Sequence, residues 1–408
     1  MDCTEFTSKL PKDFFTGFVT VPENWENPSG RKIDIFYYGR DLNPNNSTIA
    51  FFNGGPAASS HGAYETLNVN PDSAKINLIY IDQRGTGCSD PFPAEPTLET
   101  AERLTHYTSR SIVLDAEEIR VTLLGKNTKW KIFGQSYGGL IVHRYLSMKP
   151  ESIVSAYAHG YSIMTNQTTW MKDRISSQNR VIKDYFKNYP QDKADLEKIK
   201  TLIPKNQCIE NNGMKLCGPV IVDLLRHPLG FQDSWEEMHW WIENLAKSLI
   251  ELPNLMVGFS NMYLPDFTND TLASGIINRI EISKGKSDKA ECFGAFSRLK
   301  AIGENPDLWP INECRVVMAL QSNHKNSNLI SSVKQVDATT LESVKNSLLK
   351  HPQVELYLYS GQKDVFVPVE TFAEEVKALG GRIKYQSFSD SGHEGFHTEK
   401  QIWDDLLK

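Results

Sequence analysis

The stretch Lys131-Ile-Phe-Gly-Gln-Ser-Tyr-Gly-Gly139 decides the fold. Its residues Gly134-Gln135-Ser136-Tyr137-Gly138 fit GxSxG, the pattern that seats a serine on a sharp turn between a strand and a helix. Trp130 to Phe133 read as a short buried strand and Gly139 to Met148 as a helix, so the turn falls on the serine itself. In that strained geometry Gly134 and Gly138 leave the backbone room, and the hydroxyl is pushed into the open. GxSxG alone recurs by chance in unrelated chains, so the rest of the sequence must supply the partners such a serine needs.

A nucleophilic serine requires a base to take its proton and an acid to orient that base. Val354 to Tyr359 alternate as a strand and open into Ser360-Gly-Gln-Lys-Asp364, which leaves a carboxylate just past a strand's carboxyl end; Asp364 is the expected acid. Arg382 to Phe388 read as the last strand, and the small-residue loop Ser389-Asp-Ser-Gly-His393-Glu-Gly395 can carry an imidazole over the turn; His393 is the expected base. Plainer roles compete. Asp364 could cap the helix suggested by Val369 to Leu379, and His393 has His397 and His351 as local rivals. Asp390 is an alternative acid, but three residues from His393 it would have to fold back sharply. The order Ser136, Asp364, His393 favours chemistry over these.

Acyl transfer also needs N–H donors for a developing oxyanion, normally one from the residue after the nucleophile and one from the loop after an early strand. Tyr137 supplies the first. Thr48-Ile-Ala-Phe-Phe-Asn-Gly-Gly-Pro56 is an apolar strand running into two glycines, and Gly55, beside Gly54, is the expected second donor; an ordinary strand-ending turn is the alternative.

Three motifs in order, Asn53-Gly-Gly-Pro-Ala57, Asp82-Gln-Arg-Gly-Thr-Gly-Cys-Ser89 and Gly134-Gln-Ser-Tyr-Gly-Gly139, resemble those of proline iminopeptidases and tripeptidyl aminopeptidases, which are α/β-hydrolase serine peptidases. Gly17-Phe-Val-Thr-Val-Pro-Glu-Asn-Trp-Glu-Asn-Pro28 and Asp115-Ala-Glu-Glu-Ile-Arg120 are similar to segments of the tripeptidyl branch. The similarity covers roughly residues 15 to 160 and 350 to 400. Asn53 stands where the family has histidine or proline, and Ala57 replaces the motif's last glycine, adding a methyl where the backbone wants positive φ. Asp82, Arg84 and Ser89 are expected to build the loop beside the site, with Arg84 buried in hydrogen bonds.

The chain has 408 residues, enough for an ample core in one large domain with an insertion or in two domains. A net charge of −6 with no basic cluster argues against nucleic acid as a partner. No apolar run is long enough to span a bilayer. Met1-Asp-Cys-Thr opens without an apolar segment, so a signal peptide is either absent or removed. Of the six cysteines, Cys208 and Cys217 flank a hairpin turning on Asn212-Gly213, in a register that sets them face to face. A Cys208–Cys217 disulfide is expected, leaving Cys292 with Cys314 and Cys3 with Cys88 by elimination. Bridges point to a secreted or periplasmic enzyme; the alternative is six reduced thiols in a cytoplasmic one.

Strand-like runs at 17–21, 32–38, 48–53, 77–82, 130–134, 153–158, 354–359 and 383–388 number eight, the first two as an antiparallel hairpin and the later ones alternating with helices. The pattern reads as α/β, and the resemblance implies an α/β-hydrolase sheet of eight mostly parallel strands, with core segments 1–161 and 336–408 and a mainly helical cap at 162–335. The resemblance implies that cap carboxylates hold a peptide's free amino terminus. Asp233, Glu236, Glu237, Glu243 and Glu313 are candidates by charge and location, but no motif aligns any of them, and they suit the solvated face of a helix equally well. Trp170, Trp235, Trp240 and Trp241 are expected to pack the cap's interior or, for one of them, to line a substrate pocket. The expected function is release of amino-terminal residues from peptides through a Ser-His-Asp acyl-enzyme, with no cofactor and no metal. A carboxylesterase acting on small esters or amides, and a non-catalytic binding protein on the same scaffold, are the alternatives.

Overall fold

Runs rich in β-branched and aromatic residues form strands wherever both faces can be covered. The computed structural model describes residues 3–164, 167–206, 208–211, 214–218, 229–231, 234–247, 271–282, 327–334 and 337–408. Its strands are β1 (Phe14–Pro22), β2 (Lys32–Arg40), β3 (Thr48–Phe52), β4 (Asn77–Ile81), β5 (Trp130–Gln135), β6 (Ile153–His159), β7 (Cys208–Asn211), β8 (Met214–Cys217), β9 (Glu355–Gly361) and β10 (Ile383–Phe388). Eight of them make one sheet in the order β1-β2-β4-β3-β5-β6-β9-β10, matching the eight expected runs. β1 pairs antiparallel with β2, and β2 antiparallel with β4. The remaining neighbours are parallel.

Every residue of β4 and β5 is buried, as strands covered on both faces require. Alternate residues feed two apolar cores. Ala50, Phe52, Ile79 and Ile81 join one face with Ile112, Ile119, Leu140 and Ile141 from the helices Ser109–Leu124 and Tyr137–Met148. Ile49, Phe51, Leu78 and Tyr80 join the other with Phe6 from the helix Cys3–Ser8 and with Ile402 and Trp403 from the helix Lys400–Leu406.

Between β6 and β9 the alternation stops. The helices Gln167–Asn188, Asp192–Leu202 and Trp235–Lys247 share a third core, built from Val181, Tyr185, Leu196, Ile199, Met238 and Ile242 with Trp235 and Trp241. Trp240 on the opposite face is half-exposed. The segment Thr271–Ile277, which continues into the π-helical Asn278–Ile282, behaves differently: Leu272, Ala273, Ile276, Ile277 and Ile280 enter the first core, beside Phe52 and Tyr137.

β7 and β8 form a separate hairpin in the expected register, Asn211↔Met214 and Cys208↔Cys217. Cys208 is disulfide-bonded, while the Cys217 side chain and the Asn212-Gly213 turn lie outside the described residues. Cys3 is bonded to Cys88, as expected by elimination. Cys292 and Cys314 lie outside the described residues. No described helix is long and apolar enough to cross a membrane.

Candidate active site

Ser136 follows directly on β5 and adopts φ 54°, ψ −119°, a positive φ shared by only one other described non-glycine residue. The strand and the helix behind it are packed too tightly for any but glycine at the turn's flanks. A Cβ on Gly138 would run into the Phe52 carbonyl, and one on Gly134 into that of Gly138. The Ser136 amide is held by the His159 carbonyl on β6 at 2.9 Å. From Trp130 to Leu146, Ser136 is the one residue that is not buried.

The loops after β9 and β10 bring Asp364 and His393 together, with His393 Nδ1 2.7 Å from Asp364 Oδ2. Asp364 is fully buried and His393 nearly so. The other carboxylate oxygen accepts the Phe366 and Val367 amides at 2.8 and 2.9 Å, so Asp364 closes a local turn instead of capping the helix Phe372–Leu379. Two bonds seat the His393 backbone: its amide donates to the Gly230 carbonyl at 3.0 Å, and its carbonyl accepts Gln135 Nε2 at 3.0 Å. Gln135 immediately precedes Ser136, so the histidine loop is fastened to the turn that carries the serine. The end of β6 abuts the pair as well, since a Cβ on Gly160 would lie 3.2 Å from His393 Nδ1. The rival acid Asp390 points to solvent and pairs with Lys363 at 3.2 Å.

His159, next to Gly160, is fully buried, and neither ring nitrogen has a hydrogen-bond partner among the described residues. Burial, reinforced by the nearby His393, pushes its pKa down to about 3, so it stays neutral.

The Gly55 loop is held at both ends. Gln83 Nε2 donates to the Asn53 carbonyl at 2.9 Å, and Asn53 Nδ2 donates across the loop to the Ser59 carbonyl at 2.6 Å. Asp82 Oδ1 accepts the Ser60 amide and hydroxyl at 2.8 and 2.7 Å. The departures from the family motif are thereby explained: Asn53 staples its own loop, and Ala57 sits at φ 72°, in the left-handed region expected for the glycine it replaces. Arg84 is buried. It forks onto Asp115 at 2.8 and 2.6 Å and donates to the Glu23 and His106 carbonyls at 2.7 and 2.8 Å. The segments at 17–28, 82–89 and 115–120 therefore meet at one guanidinium.

Among the expected amine-binding acids, Glu236 and Glu237 are exposed, and Glu243 pairs with Lys247 at 2.6 Å on the same helix. These are solvated helix faces. Asp233 and Glu313 lie outside the described residues. No motif marks the acid that does reach the site's surroundings, Glu281. Its carboxylate accepts hydrogen bonds from the Tyr137 hydroxyl and from the Ser109 hydroxyl and amide, with Arg144 at 3.8 Å. Burial pushes its pKa up to about 7 against these bonds. The one sequence signal is a charge inside an apolar run, Ile280-Glu281-Ile282.

A strand-turn-helix serine, a buried His-Asp pair in the loops after β9 and β10, and this strand order define the architecture. The chain is an α/β-hydrolase-fold protein. Residues 48–198 match the alpha/beta hydrolase fold family. A proline iminopeptidase of Aeromonas sobria is 26% identical over 251 residues, 56% of each chain. One of Neisseria gonorrhoeae is 28% identical over 166 residues, 40% of this chain and 46% of that protein. The resemblance to proline iminopeptidases carried by the three motifs thus recurs in these comparisons, and the chain spans only about half the length of these curated relatives. A solved acetylester hydrolase from Corynebacterium glutamicum aligns over 100% of this chain and 98% of its own at 12% identity and a TM-score of 0.47.

Proposed function

We propose that the protein is a serine hydrolase that releases amino-terminal residues from peptides. The observation that carries this is the buried His393–Asp364 pair at 2.7 Å, fastened through Gln135 to the strained turn of Ser136. Ser136 attacks the carbonyl while His393 takes its proton; Asp364 holds the imidazole with Nδ1 protonated, and the tetrahedral oxyanion is met by the amides of Tyr137 and Gly55. The amine leaves with the proton from His393, and water releases the acyl group by the same steps. Of the cap expected at 162–335, the helices Gln167–Asn188, Asp192–Leu202 and Trp235–Lys247 are the part we assign to it, since segment 271–282 packs in the sheet's core. Kinship with proline iminopeptidases supports a peptide with a free amino terminus as substrate. The Cys3–Cys88 bridge supports an oxidising compartment, secreted or periplasmic.

The test combines a fluorophosphonate probe with three substrate sets: proline and alanine arylamides, amino-terminally blocked tripeptide arylamides, and nitrophenyl esters. The expected result is labelling that Ser136→Ala abolishes, with arylamides bearing a free amine turned over. Turnover of esters alone would replace the peptidase with an esterase. Folded protein that does not label would point to a binding protein on this scaffold.

A further inference from the structure

Segment 271–282 touches both stretches that carry the oxyanion amides. At one end, the Ser274 hydroxyl donates to the Pro56 carbonyl at 3.2 Å, one residue after Gly55. At the other, Glu281 takes the hydroxyl of Tyr137, whose own amide is the second donor. Along the segment Leu272, Ala273, Ile276, Ile277 and Ile280 are buried in the core that also holds Phe52 and Tyr137. The far side is anchored too. Glu281 is bonded to Ser109 at the start of the helix Ser109–Leu124, and Arg144 reaches Ser109 Oγ at 3.2 Å and Asp337 Oδ1 at 3.1 Å. Asp337 in turn donates its amide to the Ile280 carbonyl at 3.4 Å.

We propose that segment 271–282 is a clamp that fixes the Gly55 and Tyr137 amides relative to each other, with Glu281 as its principal positioning residue. The proposal rests on the assignment of those two amides as oxyanion donors. A fully buried acid between isoleucines is costly unless it is bonded, and here its bonds go to the residue after the nucleophile and to the helix flanking it. Fixing Tyr137 by its phenol fixes the start of the helix Tyr137–Met148, and with it the direction of the amide. Ser274 does the same for the loop by its carbonyl. Glu281 touches no reacting atom; it acts through Tyr137. Displacing a donor by about an ångström costs on the order of a hundredfold in rate, which sets the scale of the effect.

The test is a double-mutant cycle on Glu281→Gln, Glu281→Leu and Tyr137→Phe, read as kcat, KM and the rate of Ser136 phosphonylation, whose P–O oxygen occupies the same donors. Glu281→Leu and Tyr137→Phe should each lower kcat and phosphonylation by roughly ten- to a hundredfold, with KM within about threefold. Glu281→Gln, which keeps an acceptor for the phenol, should recover most of that loss. The Tyr137→Phe, Glu281→Gln double variant should be no slower than Tyr137→Phe alone. Losses that multiply, or a folded Glu281→Leu protein with wild-type kcat, would overturn the clamp. Should Glu281→Leu fail to fold, the Gln and Phe cycle decides alone. Wild-type protein that neither labels nor turns over substrate would instead sink the proposed function, so the two failures are told apart.

Discussion

The sheet and the segment inserted after β6 solve the problem of placing a side chain in opposite ways. In the sheet, strand register does the work: Ser136, Asp364 and His393 each stand just past the carboxyl end of a parallel strand, and neighbouring strand order brings those ends together. In the insertion, the helices around Met238 close over a core that borrows Val365 from the loop after β9, while segment 271–282 is absorbed into the sheet's core and reaches the site by Ser274 and one buried acid. Position in the sheet follows from local sequence, whereas position in the insertion follows from contacts that no local pattern encodes.

The largest effect should come from the sheet side. In Asp364→Asn the amide oxygen stays on the Phe366 and Val367 amides, so the NH2 group faces His393 Nδ1 and forces the tautomer that cannot accept the serine's proton. A loss of about ten-thousandfold in kcat with an unchanged circular dichroism spectrum is expected. A loss below tenfold would mean that this pair is structural, and the contrast with the insertion would lose its functional side.

The insertion's independence can be broken next. Met238 is fully buried in the helical core, and Met238→Ala should cost about 2–5 kcal/mol. If that core is a separate cooperative unit, hydrogen exchange should accelerate across 167–247 and leave β3 to β6 protected. Equal loss of protection in both would make them one unit.

The smallest effect belongs to the Gly55 loop. Ala57→Gly removes the steric cost of a left-handed alanine and adds unfolded-state freedom, terms of about 1–2 and 0.4–1 kcal/mol that oppose each other. A gain of up to about 1 kcal/mol in denaturant unfolding is expected. A loss greater than 0.5 kcal/mol, on the order of the entropic term alone, would show that the methyl packs usefully.

The strands were legible because each is an apolar run bounded by turn residues, and all eight expected runs pair in one sheet. The strained turn at Ser136 and the meeting of Asp364 with His393 were legible from short loops at strand ends, and the left-handed backbone at Ala57 from a motif whose glycines have a steric reason. Asp82 was expected only to shape a neighbouring loop and Gln83 carried no expectation; their grip on Ser60 and Asn53 depends on how β3 and β4 end side by side. Glu281 was illegible because its partners Ser109, Tyr137 and Arg144 lie far back in the chain, and sequence carries no record of such an encounter. The same holds for His143, whose ring bonds Glu375 at 2.7 Å across the first core.

The Cys3–Cys88 bridge spans 85 positions, and within that span lie β1 to β4, the Gly55 loop and Gln83. A single peptide-bond cut anywhere inside it leaves both fragments covalently joined. Wherever another protease nicks it there, the molecule would keep the Gly55 loop tethered until a thiol reductant arrived.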